Sequence, residues 1–307
     1  MVVAGIGEIE ARVIQTLQEK GPRIGKELAL DLPDVPSLAL WQACYKSREL
    51  HLSHFASYYL RFDITRGDQV RLSPSILRDF LSFTLFGLPD QRELMIERQG
   101  TLSNTHREIS KQKIAVAQDV MSNLLVQMPR EVRANLCAFI AGDLAYFLAH
   151  NEPREHAGIG EMIKGSDIDI IVIHQDLSEE IVAGIENEMS SLKNFYLRHP
   201  NHRHEIDFIV KSRAKMERQF RYTDIHDKIA SKIAYESMFL GGSLPLYMNV
   251  RDTMKRTGVD ELIEMDFAHA LQDRKNAMRA LLAHTSGELD DETRSLFYFS
   301  QERVEFT

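Results

Sequence analysis

Two aspartates one residue apart, Asp167 and Asp169, stand at the head of the β-branched run Ile168–Ile173. A third, Asp207, lies within Glu205-Ile206-Asp207-Phe208-Ile209-Val210. Side chains alternate faces along a strand, so Asp167 and Asp169 point one way while Ile168 and Ile170 enter the opposite layer. Neighbouring carboxylates repel and raise each other's pKa unless a cation lies between them. Hard oxygen donors at this spacing suit Mg²⁺, which keeps several waters and takes a few carboxylates together with substrate phosphates. A lone carboxylate amid apolar residues is costly. Service as a third ligand would give Asp207 a reason to be there; a solvent-facing strand-edge Asp is the plainer reading. Gly165-Ser166, just upstream, offers tight backbone geometry and a hydroxyl for a phosphate oxygen. An Asp-rich turn entering a core strand is the alternative.

The elements that must position these residues follow from local pattern. Arg130–His150 reads as a mostly apolar helix and Asn151–Gly165 as a loop rich in Gly, Pro and charge. After the Asp167/Asp169 strand, Asp176 and Glu179 resemble a capping box. It opens a helix with Ile181, Ile185, Met189 and Leu192 as its stripe. A hairpin follows: Asn194–Leu197, a turn at His199–His202, and a strand His204–Val210. His199, His202 and His204 could hold Zn²⁺, but a polar turn is the default. Lys228 and Lys232 share a face of a helix over Asp224–Leu240.

The pattern of Gly-Ser, paired acids on one strand and a third acid on a later strand resembles the nucleotidyltransferase superfamily of the DNA polymerase β type. Ile229–Gly242 looks like the Tyr-Glu-Ser and closing-Gly stretch of small bacterial members. The resemblance covers about Arg130–Val250 and implies an α+β fold, a nucleotidyltransferase-type mixed sheet flanked by helices. It implies transfer of a nucleoside monophosphate from an NTP, ATP included, to an acceptor hydroxyl, with release of pyrophosphate. Two Mg²⁺ ions would be held by Asp167, Asp169 and Asp207, the catalytic and metal-binding residues. Asp207 would also accept the hydroxyl proton. Gly165, Ser166, Lys232, Gly142 and Asp143 would bind the nucleotide. There is one departure. The family's Gly-Ser lies about a dozen residues before the acids, whereas here Ala141-Gly142-Asp143 lies about two dozen before them, with Asp in place of Ser. Either Gly165-Ser166 has taken over, or the loop Asn151–Lys164 folds over the site.

Residues 1–99 read as an N-terminal helical, winged-helix-like domain. Its helices are Ile9–Lys20, Ile24–Leu30 and Ser37–Leu50. Strands Phe55–Ile64 and Gln69–Leu72 flank a turn at Arg66-Gly67-Asp68, and a helix from Ser73-Pro74 runs to about Phe86. Lys46, Arg48, Arg61, Arg66 and Arg71 could face a DNA backbone. Leu88 through Gly100 is the boundary to a connecting helix, 104–127, and the core, residues 100–250. Residues 251–307 form a helical C-terminal region. Its aromatic end, Phe297-Tyr298-Phe299, docks on the body or on a partner subunit of a homo-oligomer.

The 307 residues carry a net charge of −8, so no global basic field favours long nucleic acids. With 44% apolar and 27% charged residues the composition is that of a globular chain. Two distant cysteines, no apolar run of membrane-spanning length and no signal-like N-terminus give a cytoplasmic expectation without a membrane. The acceptor is left open between a small molecule, a protein and an RNA end. The alternative function is a DNA-binding regulator whose nucleotidyltransferase domain senses nucleotide with little turnover.

Overall fold

The computed structural model describes residues 5–63, 69–156, 158–285 and 290–299. The chain is a mixed α+β protein that divides into two compact units. One comprises the residues up to Arg61, Val70–Asn104 and the chain from Phe267; the other comprises Phe62–Gln69 and Thr105–Asp266.

The first unit begins with α1 (Ile6–Lys20), whose Ile9, Val13 and Leu17 enter the core and whose end is Gly21 at φ +76°. There follow β1 (Arg23–Ile24), α2 (Gly25–Asp31), α3 (Ser37–Lys46), β2 (His51–His54), β3 (Tyr59–Asp63), β4 (Gln69–Ser73), α4 (Ile76–Arg78) and β5 (Thr84–Gly87). Strands β1 and β2 flank β5, both antiparallel to it, and β3 pairs with β4. The expected turn at Arg66-Gly67-Asp68 lies outside the described residues. The helix expected to reach Phe86 stops early. It widens into a π-turn over Asp79–Phe83, and the wholly buried Thr84–Gly87 then takes the central place in the sheet. The stretch expected as a boundary, Leu88–Gly100, leads into a continuous helix, along which the chain passes from the first unit to the second at Asn104/Thr105. Helix α5 (Arg92–Val126) runs straight through Gly100, where a side chain would meet nothing.

The second unit continues with α6 (Arg130–Ala134), β6 (Leu136–Ile140), β7 (Pro153–His156), β8 (Glu161–Lys164), β9 (Ile168–His174), α7 (Glu179–Arg198), β10 (Ile206–Ser212), α8 (Arg213–Gln219), α9 (Ile225–Glu236), β11 (Met238–Gly242) and α10 (Leu244–Thr257). Helix α11 (Val259–Ala283) spans the division between the units, and α12 (Asp291–Phe297) belongs to the first. The main sheet has the order β10-β9-β6-β11, with β9 and β10 parallel and the other pairs antiparallel.

Five sequence expectations differ from the structure. The helix over Arg130–His150 is helical only to Ala134. Leu136–Ile140 is a fully buried strand between β9 and β11, and a short all-apolar run carries no period that separates strand from helix. The loop Asn151–Gly165 contains the β7–β8 hairpin. The hairpin at 194–210 does not exist: α7 runs on to Arg198 and β10 returns parallel to β9, making a β-α-β unit. Its N-cap is Ser178, which accepts from Ile181 N, not Asp176. Helix α9, capped by Asp224, ends at Glu236, and Met238–Gly242 forms an edge strand.

One face of the main sheet presents Ile168, Ile170, Val172 and Ile206. These pack with Val120, Met121 and Leu124 of α5 and Ile185 and Met189 of α7. The acids lie on the other face. The aromatic end of the chain docks within its own first unit, where Phe297 is fully buried 5.8 Å from the Trp41 ring. Among the described residues no helix is long and apolar enough to cross a membrane.

Candidate active site

Parallel pairing of β9 and β10 sets Asp207 beside Asp169 as register partners. Neighbouring strands lie about 4.8 Å apart, so the two carboxylates leave the same face as neighbours. They line a cavity of about 180 Å³ whose wall is completed by Ala141 and Gly142 after β6 and by Lys232 and Glu236 of α9. Asp169 is pushed up to about 7, first by burial and then by the charges of Asp167 and Asp207, with Lys232 opposing. Asp167 is pushed up to about 6 by burial, which the Arg154 guanidinium counters and Glu205 and Asp207 reinforce.

Internal cations meet the outer acids. From the β7–β8 hairpin, Arg154 donates to Asp167, to Glu205 Oε2 at 2.7 Å and to Gly165 O at 3.2 Å. Lys193 of α7 reaches Asp207 Oδ1 at 2.5 Å. Lys232 donates to Glu236 Oε1 at 2.6 Å, and the same oxygen accepts Gly142 N at 2.9 Å. The Glu236 side chain is 1% exposed, and burial raises its pKa against the pull of Lys232. No donor reaches Asp169 among the described residues.

The predicted site residues divide by place. Asp169, Asp207, Gly142 and Lys232 line the cavity, and Asp167 stands at the head of β9, turned to Arg154. Gly142, at φ +68°, would carry a Cβ 3.1 Å from Asp169 Oδ2, so a side chain there would press on that carboxylate. Gly165 and Ser166 are buried and face inward. At φ +37° a Cβ on Gly165 would sit 2.0 Å from His150 O, and Ser166 Oγ accepts His150 N at 3.2 Å and donates to Asp143 Oδ2 at 3.3 Å. The histidines do not converge. His199 and His202 make tilted ring contacts with Phe195, whereas His204 is buried beside Lys113.

Among the described residues no three His, Cys, Asp or Glu side chains are grouped closely enough to hold a metal ion. The donor chemistry nonetheless fits a hard cation: all-oxygen ligands, two with raised pKa, and two already paired with a guanidinium or an ammonium.

Sequence reasoning missed the parts played by Glu205 and Lys193. Glu205-Ile206-Asp207 repeats the acid-x-acid spacing of Asp167-Ile168-Asp169, a visible signal. Lys193 carried none, because only the packing of α7 on β10 brings it to Asp207. No family model matches the chain, and no curated protein matches it.

Proposed function

We propose that the chain is a metal-dependent nucleotidyltransferase, moving a nucleoside monophosphate from an NTP to an acceptor hydroxyl and releasing pyrophosphate. One observation carries the reading. Asp169 and Asp207 are register partners on adjacent parallel strands, with Asp167 at the strand head, beside a cavity bounded by Gly142 and Lys232. The sheet order and the β-α-β unit also support the nucleotidyltransferase type of fold that the sequence resembles.

Asp167, Asp169 and Asp207 would hold Mg²⁺, which when bound neutralises phosphate charge and lowers the pKa of a coordinated hydroxyl. The chain's own groups do the rest. Asp207, the most exposed of the three, is placed to accept the acceptor's proton on a carboxylate oxygen. Lys232, oriented by Glu236, faces the cavity where phosphates would lie. Arg154 and Lys193, now paired with Asp167 and Asp207, are the further cations within reach of a triphosphate. Phosphoryl transfer draws its acceleration chiefly from such positioning and charge neutralisation.

The order α1-β1-α2-α3-β2 and the sheet β1-β5-β2 suit a winged-helix-like unit. Its third helix is not free to enter a groove: Leu40, Trp41, Ala43 and Cys44 are at most 1% exposed, and Gln42 donates to Leu281 O and His284 O. Arg61 and Arg71 both lie over the Phe299 ring. No observation therefore favours the DNA-binding regulator.

Incubation with each α-labelled NTP, Mg²⁺ and a lysate as acceptor tests the proposal, with Asp167→Ala/Asp169→Ala as control. Label transfer and pyrophosphate release that vanish in the double variant are expected. NTP binding without transfer would sink the enzymatic reading.

A further inference from the structure

A polar stripe on α5, His106, Ser110 and Lys113, lies against the two chain segments that flank the β7–β8 hairpin. His106 Nδ1 is 3.0 Å from Ala149 O, and Ser110 Oγ accepts Ala149 N at 3.1 Å. Lys113 is 1% exposed. Its Nζ donates to Lys164 O at 2.9 Å and Ser166 O at 2.7 Å, and stands 3.5 Å from His204 Nδ1. An ammonium so deeply placed must find its acceptors inside the protein.

The three acceptors come from two segments. Lys164 ends β8, Ser166 immediately precedes Asp167, and His204 leads into Glu205 and the strand that bears Asp207. The backbone stitches the same segments together, through Lys164 N to Arg203 O at 2.9 Å and Ile168 N to Glu205 O at 3.0 Å. Burial draws Lys113 down to about 8, with the Asp167 charge opposing. Burial and the Lys113 charge draw His204 down to about 4, so the imidazole beside the ammonium is neutral at neutral pH.

We propose that Lys113 is a positioning residue of the acidic site: one ammonium holds the entrances of β9 and β10 and so sets Asp167 and Asp169 against Asp207. The inference rests on reading that trio as a divalent-ion site. Methionine at 113 would fill the volume but leave the carbonyls of Lys164 and Ser166 without their donor. The repelling carboxylates would then be freer to spread.

The test uses the full chain with Lys113→Met, Lys113→Gln and Lys113→Arg. Mn²⁺ binding is followed by electron paramagnetic resonance, and amide exchange is followed over residues 164–169 and 203–207. Circular dichroism establishes folding. Lys113→Met is expected to weaken Mn²⁺ binding about 10-fold or more, the scale on which outer-shell partners act, with faster exchange confined to those two segments. Lys113→Arg is expected to restore most of the affinity, a rescue that a general loss of stability would not show. Mn²⁺ affinity in folded Lys113→Met equal to that of the parent would overturn the proposal. If that variant does not fold, parental affinity in Lys113→Gln would overturn it instead. If the parent chain itself binds no Mn²⁺, the ion-site reading fails separately. Exchange then decides the clamp: acceleration confined to the two segments upholds it, and unchanged exchange removes it.

Discussion

Asp169→Asn should make the protein more stable at alkaline pH while abolishing transfer. The Asp169 carboxyl is raised from 3.8 to about 7 by burial and by its neighbours Asp167 and Asp207, with Lys232 opposing. Between those two values the folded chain holds a proton that the unfolded chain releases. Stability therefore falls as pH rises through that window, and the full cost is present above about pH 7. At about 1.36 kcal/mol per pH unit, the shift corresponds to about 4 kcal/mol. Water entry and movement of nearby cations reduce the measured effect to about 1–3 kcal/mol. Asparagine keeps the shape and removes the charge. Urea unfolding followed by circular dichroism should show the variant ahead by that margin at about pH 8, with the gap closing towards about pH 4. Mg²⁺ in excess should then stabilise the parent, by about 2.7 kcal/mol at 100 times its dissociation constant, and leave the variant unmoved. A variant less stable than the parent at about pH 8, or one whose advantage persists unchanged in acid, would refute the account.

Other perturbations follow from the same geometry. Gly165→Ala must place a Cβ 2.0 Å from His150 O at φ +37°. A loss of about 2–4 kcal/mol in chemical denaturation is expected, from backbone strain together with the clash. Arg274→Met in the first unit strips Asp79, 3% exposed, of a 2.7 Å ion pair. It should cost about 3–5 kcal/mol, and adding Asp79→Asn should recover part of that, read from the urea midpoint. Lys232→Met should raise KM for NTP and lower kcat about 100-fold in the label-transfer assay, because it removes the cation facing the cavity and the partner of buried Glu236. Equal kcat/KM in parent and variant would remove Lys232 from the site.

Much of the second unit was legible in order but not in kind. Ile168–Ile173 announced a buried strand because β-branched residues on both faces leave no helical period. Leu136–Ile140 is equally buried but reads as helix beside Arg130–Ala134, since only its neighbours β9 and β11 make it a strand. The segment after α7 looked like a hairpin because Pro200 and Asn201 suggest a turn. Whether a strand returns parallel or antiparallel is decided by where the intervening helix packs, here with Ile185 and Met189 against the sheet. Lys113 looks like a solvated residue of a polar helix. Its burial follows from the hairpin base folding over α5, a contact between residues more than fifty positions apart.

The sequence by itself determined the three acids and the common face of Asp167 and Asp169. These are consequences of composition and of period-two alternation, which acts between residues close in the chain. Tertiary structure alone decided that Asp207 stands beside Asp169 and that Arg154 and Lys193 answer two of the acids. It also decided that Ser166 turns inward and that α3 is buried. Each of these depends on which surfaces pack together. A carboxylate's pKa and partners are set by the burial and charges that packing brings, and no local spacing encodes them.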